Sequence, residues 1–290
     1  MPGTWGRVGG GVAAAVGGLV DLVLPLRCAG CARPGTGWCA DCGRELGGLR
    51  RVVRALPAPP GDRVVLPPVF ALGRYRGPVR RAIIDYKVAG RRDLAEPFGR
   101  ALAEGLRGIT GWEPELASAA ARADPTAAGL PSADPLSADP LSADSPSADP
   151  SSAGPPSADL AQASEAARWH LVPAPSRPIT SRRRGGAHMT RVARRTAAAL
   201  AADGTAATVA DCLTTSPGTR DSAGRSPHER LRDLAGRAAV RPDRAPPAAA
   251  PVLLIDDVLT TGATIASSVG ALAGHGIPVT AVLVLAATAG

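Results

Sequence analysis

Residues 252 to 264 of the chain read Val-Leu-Leu-Ile-Asp-Asp-Val-Leu-Thr-Thr-Gly-Ala-Thr. The stretch begins with four aliphatic residues and changes abruptly to two carboxylates, which hydroxyl side chains and a glycine follow. A continuously apolar run is typical of a buried strand in a parallel sheet, because both faces of such a strand are covered. Ligand sites in open α/β sheets lie at the carboxyl ends of the strands. The polar residues of this stretch are therefore predicted to form a site.

The side chains that follow the strand suit a phosphorylated sugar. Ionised Asp256 and Asp257 only accept hydrogen bonds, so they can receive them from the two neighbouring hydroxyls of a ribose. Gly262 allows a tight turn, and the residues from about Ala263 onward can form a helix whose first N–H groups attract phosphate. We therefore expect a ribose 5-phosphate site that comprises Asp256, Asp257, Thr260, Thr261, Gly262, Ala263 and Thr264.

An apolar strand that ends in acids also occurs in ATPases, where it holds magnesium. That class of protein needs the phosphate loop Gly-x-x-x-x-Gly-Lys-Ser/Thr. The chain contains a single lysine, Lys87, which follows Tyr86 and not a glycine. The sequence thus argues against a P-loop ATPase.

The stretch resembles the phosphoribosyl pyrophosphate (PRPP) motif of type I phosphoribosyltransferases. In that motif four aliphatic residues, two acids and about three variable positions precede Thr-Gly-x-Thr, as they do here. The resemblance implies that Asp256 and Asp257 bind the ribose hydroxyls, and that residues 260–264 surround the 5-phosphate. It also implies that Mg²⁺ binds together with PRPP. Lys87, a compact point charge, is expected at the pyrophosphate end of this ligand.

Four cysteines near the start of the chain form two Cys-x-x-Cys pairs, and they are Cys28, Cys31, Cys39 and Cys42. Thiolates at this spacing predict a structural zinc site closed by two short knuckles. Two disulfides are the alternative, which a secreted protein would favour, but Asp21 interrupts the apolar region that a secretion signal would need. The remaining cysteine, Cys212, follows an apolar run and is interpreted as a small buried residue.

A four-cysteine knuckle ahead of a PRPP-like motif resembles the ComF family of competence-associated proteins. Residues 81–90, the Leu-Val-Pro-Ala-Pro of residues 171–175 and the arginine-rich residues 220–236 fit the family. Residues 184–188 fit only in part, since Gly186 and Ala187 stand where the family has an aromatic and a polar residue. The resemblance covers nearly all of the chain except roughly residues 111–168. It implies an association with DNA uptake, and single-stranded DNA and competence proteins as further partners.

The charge of the chain favours anionic partners. The net charge is +8, although residues 124–160 carry six aspartates and no basic residue. The densest run of arginines lies between Arg177 and Arg195 and fits PRPP or nucleic acid, with a solvated surface as the alternative. Aromatic residues make up only 3% of the chain, which counts against base stacking.

The sequence does not assign a catalytic residue. His170 and His188 are candidates for a general base by residue type only. Three functions therefore remain open: transfer of a phosphoribosyl group to an unknown acceptor, sensing of PRPP without turnover, and binding of single-stranded DNA.

We expect three parts along the chain. Residues 1–26 form an N-terminal helix that is too short and interrupted to span a membrane, residues 27–50 form the zinc knuckle, and residues 64–290 form a phosphoribosyltransferase-like domain in a cytoplasmic protein. A repeat of Ala, Asp, Ser and Pro interrupts the domain at about residues 113–165. Its prolines and its lack of an apolar face predict a disordered insertion.

The alternation of strand and helix patterns predicts an α/β fold, with a parallel sheet of the type I phosphoribosyltransferase kind flanked by helices. One or two strands are predicted at about residues 64–75, and further strands at about residues 169–174, 206–212, 252–255 and 279–286. Helices are predicted at about residues 93–109, 187–202 and 228–237, and from about residue 263.

Overall fold

The computed structural model of the protein describes residues 26–58, 65–112, 168–175, 188–215 and 238–289. The predicted N-terminal helix, apart from Leu26, lies outside the described residues, as do the predicted insertion and the predicted helix at residues 228–237. The arginines at positions 177 and 182–184 also lie outside them.

A mostly parallel sheet forms the centre of the described part of the chain. Its strands are β1 (Arg50–Arg51), β2 (Val69–Arg74), β3 (Trp169–Pro173), β4 (Ala207–Val209), β7 (Val252–Leu259) and β8 (Ala281–Ala287). They lie in the order β1-β2-β8-β7-β3-β4, and all neighbours are parallel except β1 and β2. This confirms the predicted mixed α/β fold with a mainly parallel sheet.

Helices cover both faces of this sheet. The α-helices of the described residues are α1 (Ala40–Arg44), α2 (Gly77–Ile84), α3 (Ala95–Trp112), α4 (His188–Ala202) and α5 (Ala263–Ala273), and α1 belongs to the four-cysteine segment. On one face α3 packs against α4, over a core that includes Phe70, Phe98, Leu106, Met189, Leu253 and Leu283. On the other face α5 contributes to a second core, which includes Val69, Leu254, Ile265, Val269, Leu272 and Val282. The protein thus has three layers in the described part.

The central strand β7 is longer than the sequence predicted. Its pairing with β3 ends at Ile255, opposite Pro173, but its pairing with β8 continues to Leu259. Asp256 and Asp257 therefore lie inside the strand, at the point where one neighbour has ended. Because successive side chains of a strand point to opposite faces, the two carboxylates leave the sheet on different sides.

A second, two-stranded sheet was not predicted. Strands β5 (Leu213–Thr215) and β6 (Ala238–Val240) pair antiparallel, and β6 contacts α5. Strands of three residues carry too little periodicity to be recognised in a sequence. The predicted strands at residues 64–75 and 206–212 are likewise shorter in the structure, at residues 69–74 and 207–209.

Candidate functional sites

The carboxylate of Asp257 is the centre of a cluster of ionisable side chains. Its Oδ2 lies 2.5 Å from Nζ of Lys87 and 2.8 Å from Nε2 of His188. The three residues come from three segments, since Lys87 follows α2, His188 begins α4 and Asp257 lies on β7. Asp257 is only 3% exposed, so both partners contact an acid that water hardly reaches. We refer to these three residues as the Asp257 cluster.

A π-helical turn places Lys87 in this cluster. The turn covers Asp85–Ala89 directly after α2 and ends at Gly90, which adopts a left-handed conformation (φ 70°). Single π-helical turns are rare and occur frequently at functional sites. The hydroxyl of Tyr86 donates a hydrogen bond to the carbonyl oxygen of His188 at 2.7 Å, and its ring packs edge-on against Phe98. The π-helical turn therefore contacts Asp257 through Lys87 and His188 through Tyr86.

The charges of Asp257 and Lys87 stabilise each other. Burial alone would raise the pKa of Asp257, but the hydrogen bond from His188 and the charge of Lys87 outweigh burial and lower this pKa. For Lys87, burial acts to lower the pKa, and the nearby Asp257 carboxylate outweighs it, so the pKa of the ammonium is raised. Asp257 and Lys87 therefore form a charged pair at neutral pH.

Asp256 has a different environment from its neighbour. Burial, followed by repulsion from the charge of Asp257, raises the pKa of Asp256 well above its usual range. Its Oδ1 accepts a hydrogen bond from the backbone N–H of Asp257 at 2.8 Å. An acid destabilised in this way gains most from a bound cation or from hydroxyl donors, because either favours its charged form.

The loop after β7 leads directly into α5. Gly262 precedes the first residue of this helix with a φ of +83°, a conformation that favours glycine, and the hydroxyl oxygen of Thr261 accepts a hydrogen bond from the N–H of Ala263 at 3.4 Å. Thr260 and Thr261 are exposed, whereas Ala263 and Thr264 are partly buried. The first-turn N–H groups of α5 have no acceptors within the helix, so this end of it suits an anion. The helix predicted from about residue 263 is confirmed.

Arg54 also reaches this region, although no sequence motif marks it. Its guanidinium donates hydrogen bonds to the carbonyl oxygens of Leu259 and Thr260 and to the hydroxyl of Thr288. About two hundred residues of chain separate Arg54 from this loop, and one arginine among many carries no local signal. Only the fold could reveal this contact.

The two histidine candidates are separated by the fold. His188 lies in the Asp257 cluster, whereas His170 is buried within β3 opposite Val252. Asp257 is five residues further along β7 than Val252, which corresponds to about 17 Å at the rise of a strand. His188 is thus the histidine that belongs to the candidate site.

The four predicted cysteines come together as a candidate metal centre. The Sγ atoms of Cys28, Cys31, Cys39 and Cys42 all lie within 4.8 Å of one another, and those of Cys31 and Cys39 are 3.7 Å apart. A tetrahedral zinc site with Zn–S bonds of 2.3 Å separates its sulfurs by about 3.8 Å. All four cysteines are free thiols, so the structure supports the metal interpretation over two disulfides. The residues are therefore positioned to bind a metal ion such as zinc.

The surroundings favour a thiolate at Cys28, whereas burial raises the pKa of Cys42. Burial would raise the pKa of Cys28, but hydrogen bonds from the backbone N–H groups of Cys39, Cys31 and Gly30 outweigh it and lower the pKa. Three of the four cysteines are buried and Cys31 is exposed. Cys212 is 0% exposed and lies in the second core, which confirms its interpretation as a small buried residue.

Two arginines attach the metal centre to the body of the protein. Nε of Arg81, on α2, donates to the carbonyl oxygen of Gly30 at 2.6 Å. Arg91 donates to the carbonyl oxygens of Arg27 and Gly37 and forms an ion pair with Asp93. The centre is thus fixed to the segment that also carries Lys87.

No protein-family model matches the chain, and no curated protein that was compared with it matches either. Among the described residues, no helix is both long enough and apolar enough to cross a membrane.

Proposed function

We propose that the protein is a ComF-like phosphoribosyltransferase-fold protein that binds PRPP, or a related phosphoribosyl ligand, at the carboxyl end of β7. One observation carries the proposal: Asp256 and Asp257 are followed, within six residues, by a glycine turn and the first N–H groups of α5. Carboxylates accept hydrogen bonds from the hydroxyls of a sugar. The free N–H groups at a helix N-terminus donate hydrogen bonds to a phosphate. One short segment therefore offers carboxylates for the ribose hydroxyls and N–H groups for the phosphate.

Asp256 is the acid best suited to accept the ribose hydroxyls. It is partly buried, and its raised pKa means that hydroxyl donors or a cation would stabilise its charge. Asp257 already holds Lys87 and His188 through Oδ2, and its role is to position these two groups beside the ligand.

The phosphate of the ligand is assigned to residues 260–264. The hydroxyls of Thr260 and Thr261 are exposed at the loop, and the first turn of α5 begins at Ala263. The hydroxyls and the backbone N–H groups are donors, which complement the phosphate oxygens.

Lys87 is assigned to the pyrophosphate end, where an ammonium can neutralise negative charge. Its side chain is 35% exposed, so one side of it is open to solvent while the other contacts Asp257. The carboxylate of Asp256 is an oxygen ligand of the kind that Mg²⁺ prefers, and Mg²⁺ bound with PRPP would supply further charge neutralisation. Turnover would break the C1–O bond to pyrophosphate and form a C1–N bond to an acceptor, with the transition state stabilised mainly by positioning and charge.

Titration calorimetry of the full chain with PRPP and Mg²⁺ tests this proposal. We expect binding that Asp256→Asn combined with Asp257→Asn weakens at least about tenfold, since hydrogen bonds to charged groups contribute about 1.5–3 kcal/mol each. Asp203→Asn, in an exposed ion pair with Arg107, is the matched control and should bind as the wild type does. If the wild type binds no PRPP, or if the double variant binds equally well, the proposal is wrong.

A second experiment separates an enzyme from a sensor. Pyrophosphate release from PRPP is measured with a panel of nitrogen bases as acceptors. Release that depends on one base and is lost in the double aspartate variant identifies a transferase. Tight binding without release from any base identifies a PRPP-sensing module. The association with DNA uptake rests on the family resemblance, and a salt titration of single-stranded DNA binding tests it.

A further inference from the structure

One guanidinium connects the carboxyl ends of two strands with the loop after β7. Arg54 donates to the carbonyl oxygen of Leu259 at 3.4 Å, to that of Thr260 and to the hydroxyl of Thr288 at 3.2 Å. Leu259 is the last residue of β7, and Thr288 directly follows β8. The planar fork of an arginine can serve several acceptors at once, which a point charge cannot do equally well.

The backbone that carries Arg54 is itself held in place. Residues 50 and 51 pair antiparallel with β2, and the N–H of Val52 donates to the carbonyl oxygen of Val69 at 2.7 Å. Beyond Arg54, Leu56 and Pro57 pack onto Gly262, and a Cβ atom at this glycine would lie 2.8 Å from Cδ2 of Leu56. Residues 54–57, which we call the strap, therefore cover the loop that leads into α5.

We propose that Arg54 is a positioning residue for the phosphate-binding loop. The carbonyl oxygen of Thr260 is turned toward the guanidinium, which also offsets its partial negative charge. The carbonyl oxygen of Leu259 is held mainly by the N–H of Thr288 at 3.0 Å, and Arg54 adds a longer contact to it. A phosphate at the N-terminus of α5 would otherwise meet the Thr260 oxygen as a repulsive neighbour. A loop that is already ordered also loses less conformational entropy when a ligand binds. The nature of the ligand in this inference rests on the proposed function.

Two measurements on the full chain test the role of Arg54. Hydrogen exchange of the backbone amides reports the order of residues 259–264 without any ligand, and calorimetry with ribose 5-phosphate reports affinity. The variants are Arg54→Gln, which removes the charge and the fork, and Arg54→Lys, which keeps the charge only. Arg76→Gln, at an exposed arginine beyond the end of β2, is the control.

For Arg54→Gln we expect exchange at residues 259–264 to become at least about tenfold faster, while the rest of the sheet exchanges as in the wild type. Affinity for ribose 5-phosphate should fall about tenfold. Arg54→Lys should recover only part of the affinity and little of the protection from exchange. Arg76→Gln should change neither quantity.

Three results would overturn the inference. The first is unchanged exchange of the loop in Arg54→Gln. The second is faster exchange throughout the sheet with a lower melting temperature, which indicates a general structural role. The third is full recovery of affinity by Arg54→Lys with the loop still unprotected, which indicates charge and not positioning. If the wild type binds no phosphoribosyl ligand but Arg54→Gln frees the loop, the proposed function fails and the action of Arg54 on the loop stands.

Discussion

Nζ of Lys87 lies 2.5 Å from Oδ2 of Asp257, and this contact joins the π-helical turn after α2 to the central strand of the sheet. The acid is almost completely buried, so its charge depends on Lys87 and on His188, which contacts the same oxygen. Asp256, its direct neighbour, has the opposite electrostatic situation, since burial and the charge of Asp257 both disfavour its ionised form. Two adjacent aspartates thus have opposite electrostatic environments.

Replacing Lys87 should destabilise the protein. Lys87→Met keeps most of the side-chain volume but leaves Asp257 with His188 as its remaining contact in the cluster. Because an incompletely compensated buried charge is costly, we expect the free energy of unfolding to fall by about 1–3 kcal/mol. Urea unfolding at pH 7 measures this quantity. Arg92→Met, at an exposed position before α3, should change it by less than about 0.5 kcal/mol. Equal effects of both variants would contradict the prediction.

The contribution of Asp257 to stability should disappear in acid. Its folded pKa is lowered, so the stabilisation is fully present above the unfolded pKa of about 3.9 and is lost as the pH falls through the folded pKa. Asp257→Asn should therefore lower the free energy of unfolding at pH 7 but have little effect near pH 2. Unfolding curves at a series of pH values check this, and a deficit that is independent of pH would speak against it.

Asp256→Asn should raise the free energy of unfolding at high pH, whereas Asp257→Asn should lower it. The folded pKa of Asp256 is raised, so the unfolded chain releases this proton at about pH 4 while the folded protein retains it to higher pH. Stability therefore decreases as the pH rises through this range, and an uncharged asparagine removes the penalty. We expect the variant to be more stable than the wild type at pH 8, by about 1–2 kcal/mol. A variant that is less stable at pH 8 would show that the charge of Asp256 is well compensated.

Gly262→Ala should disturb both stability and ligand binding. Alanine rarely adopts a φ of +83°, and its Cβ would also collide with Leu56 of the strap. Gly204→Ala is a matched control, because its φ is +76° and nothing lies within 4 Å of the added Cβ. Each variant loses about 1 kcal/mol from the backbone conformation. Gly262→Ala should lose up to about 1 kcal/mol more, because Leu56 must shift and Cδ of Pro57 would lie 3.3 Å from the new Cβ. Urea unfolding compares the two, and equal losses would show that the strap moves aside freely.

The four-cysteine centre should hold about one zinc ion per chain. Purified protein is analysed for metal content, and Co²⁺ exchanged into it should show the absorption of tetrahedral thiolate coordination. Cys42→Ser should lose the metal and melt at a lower temperature, because metal binding is coupled to the folding of such knuckles. Cys212→Ser, which changes a buried cysteine outside the centre, should retain the metal. Wild-type protein purified without metal and with disulfides would contradict the metal interpretation.

Local patterns in the chain predicted much of the fold. Long helices such as α3 and α4 and the apolar strands β7 and β8 were found near their observed positions, because their periodicity or continuous apolarity reflects burial. The four-cysteine cluster could be predicted because its members lie close together in sequence. The assignment of residues 260–264 to a phosphate stays a prediction. The short strands β5 and β6 were missed, since pairing with a distant segment stabilises them and local pattern does not.

The arrangement of charges around the site depended on the three-dimensional fold. The chain places Asp256 and Asp257 side by side, but nothing in their order shows that Lys87 and His188 contact one of them and not the other. Nor does it show that Arg54 reaches the loop after β7. Short-range chemistry can be read along the chain because neighbours in sequence are always neighbours in space. Burial, pKa shifts and contacts between distant segments arise only when the sheet and its helices have assembled, because they depend on which groups exclude water from one another.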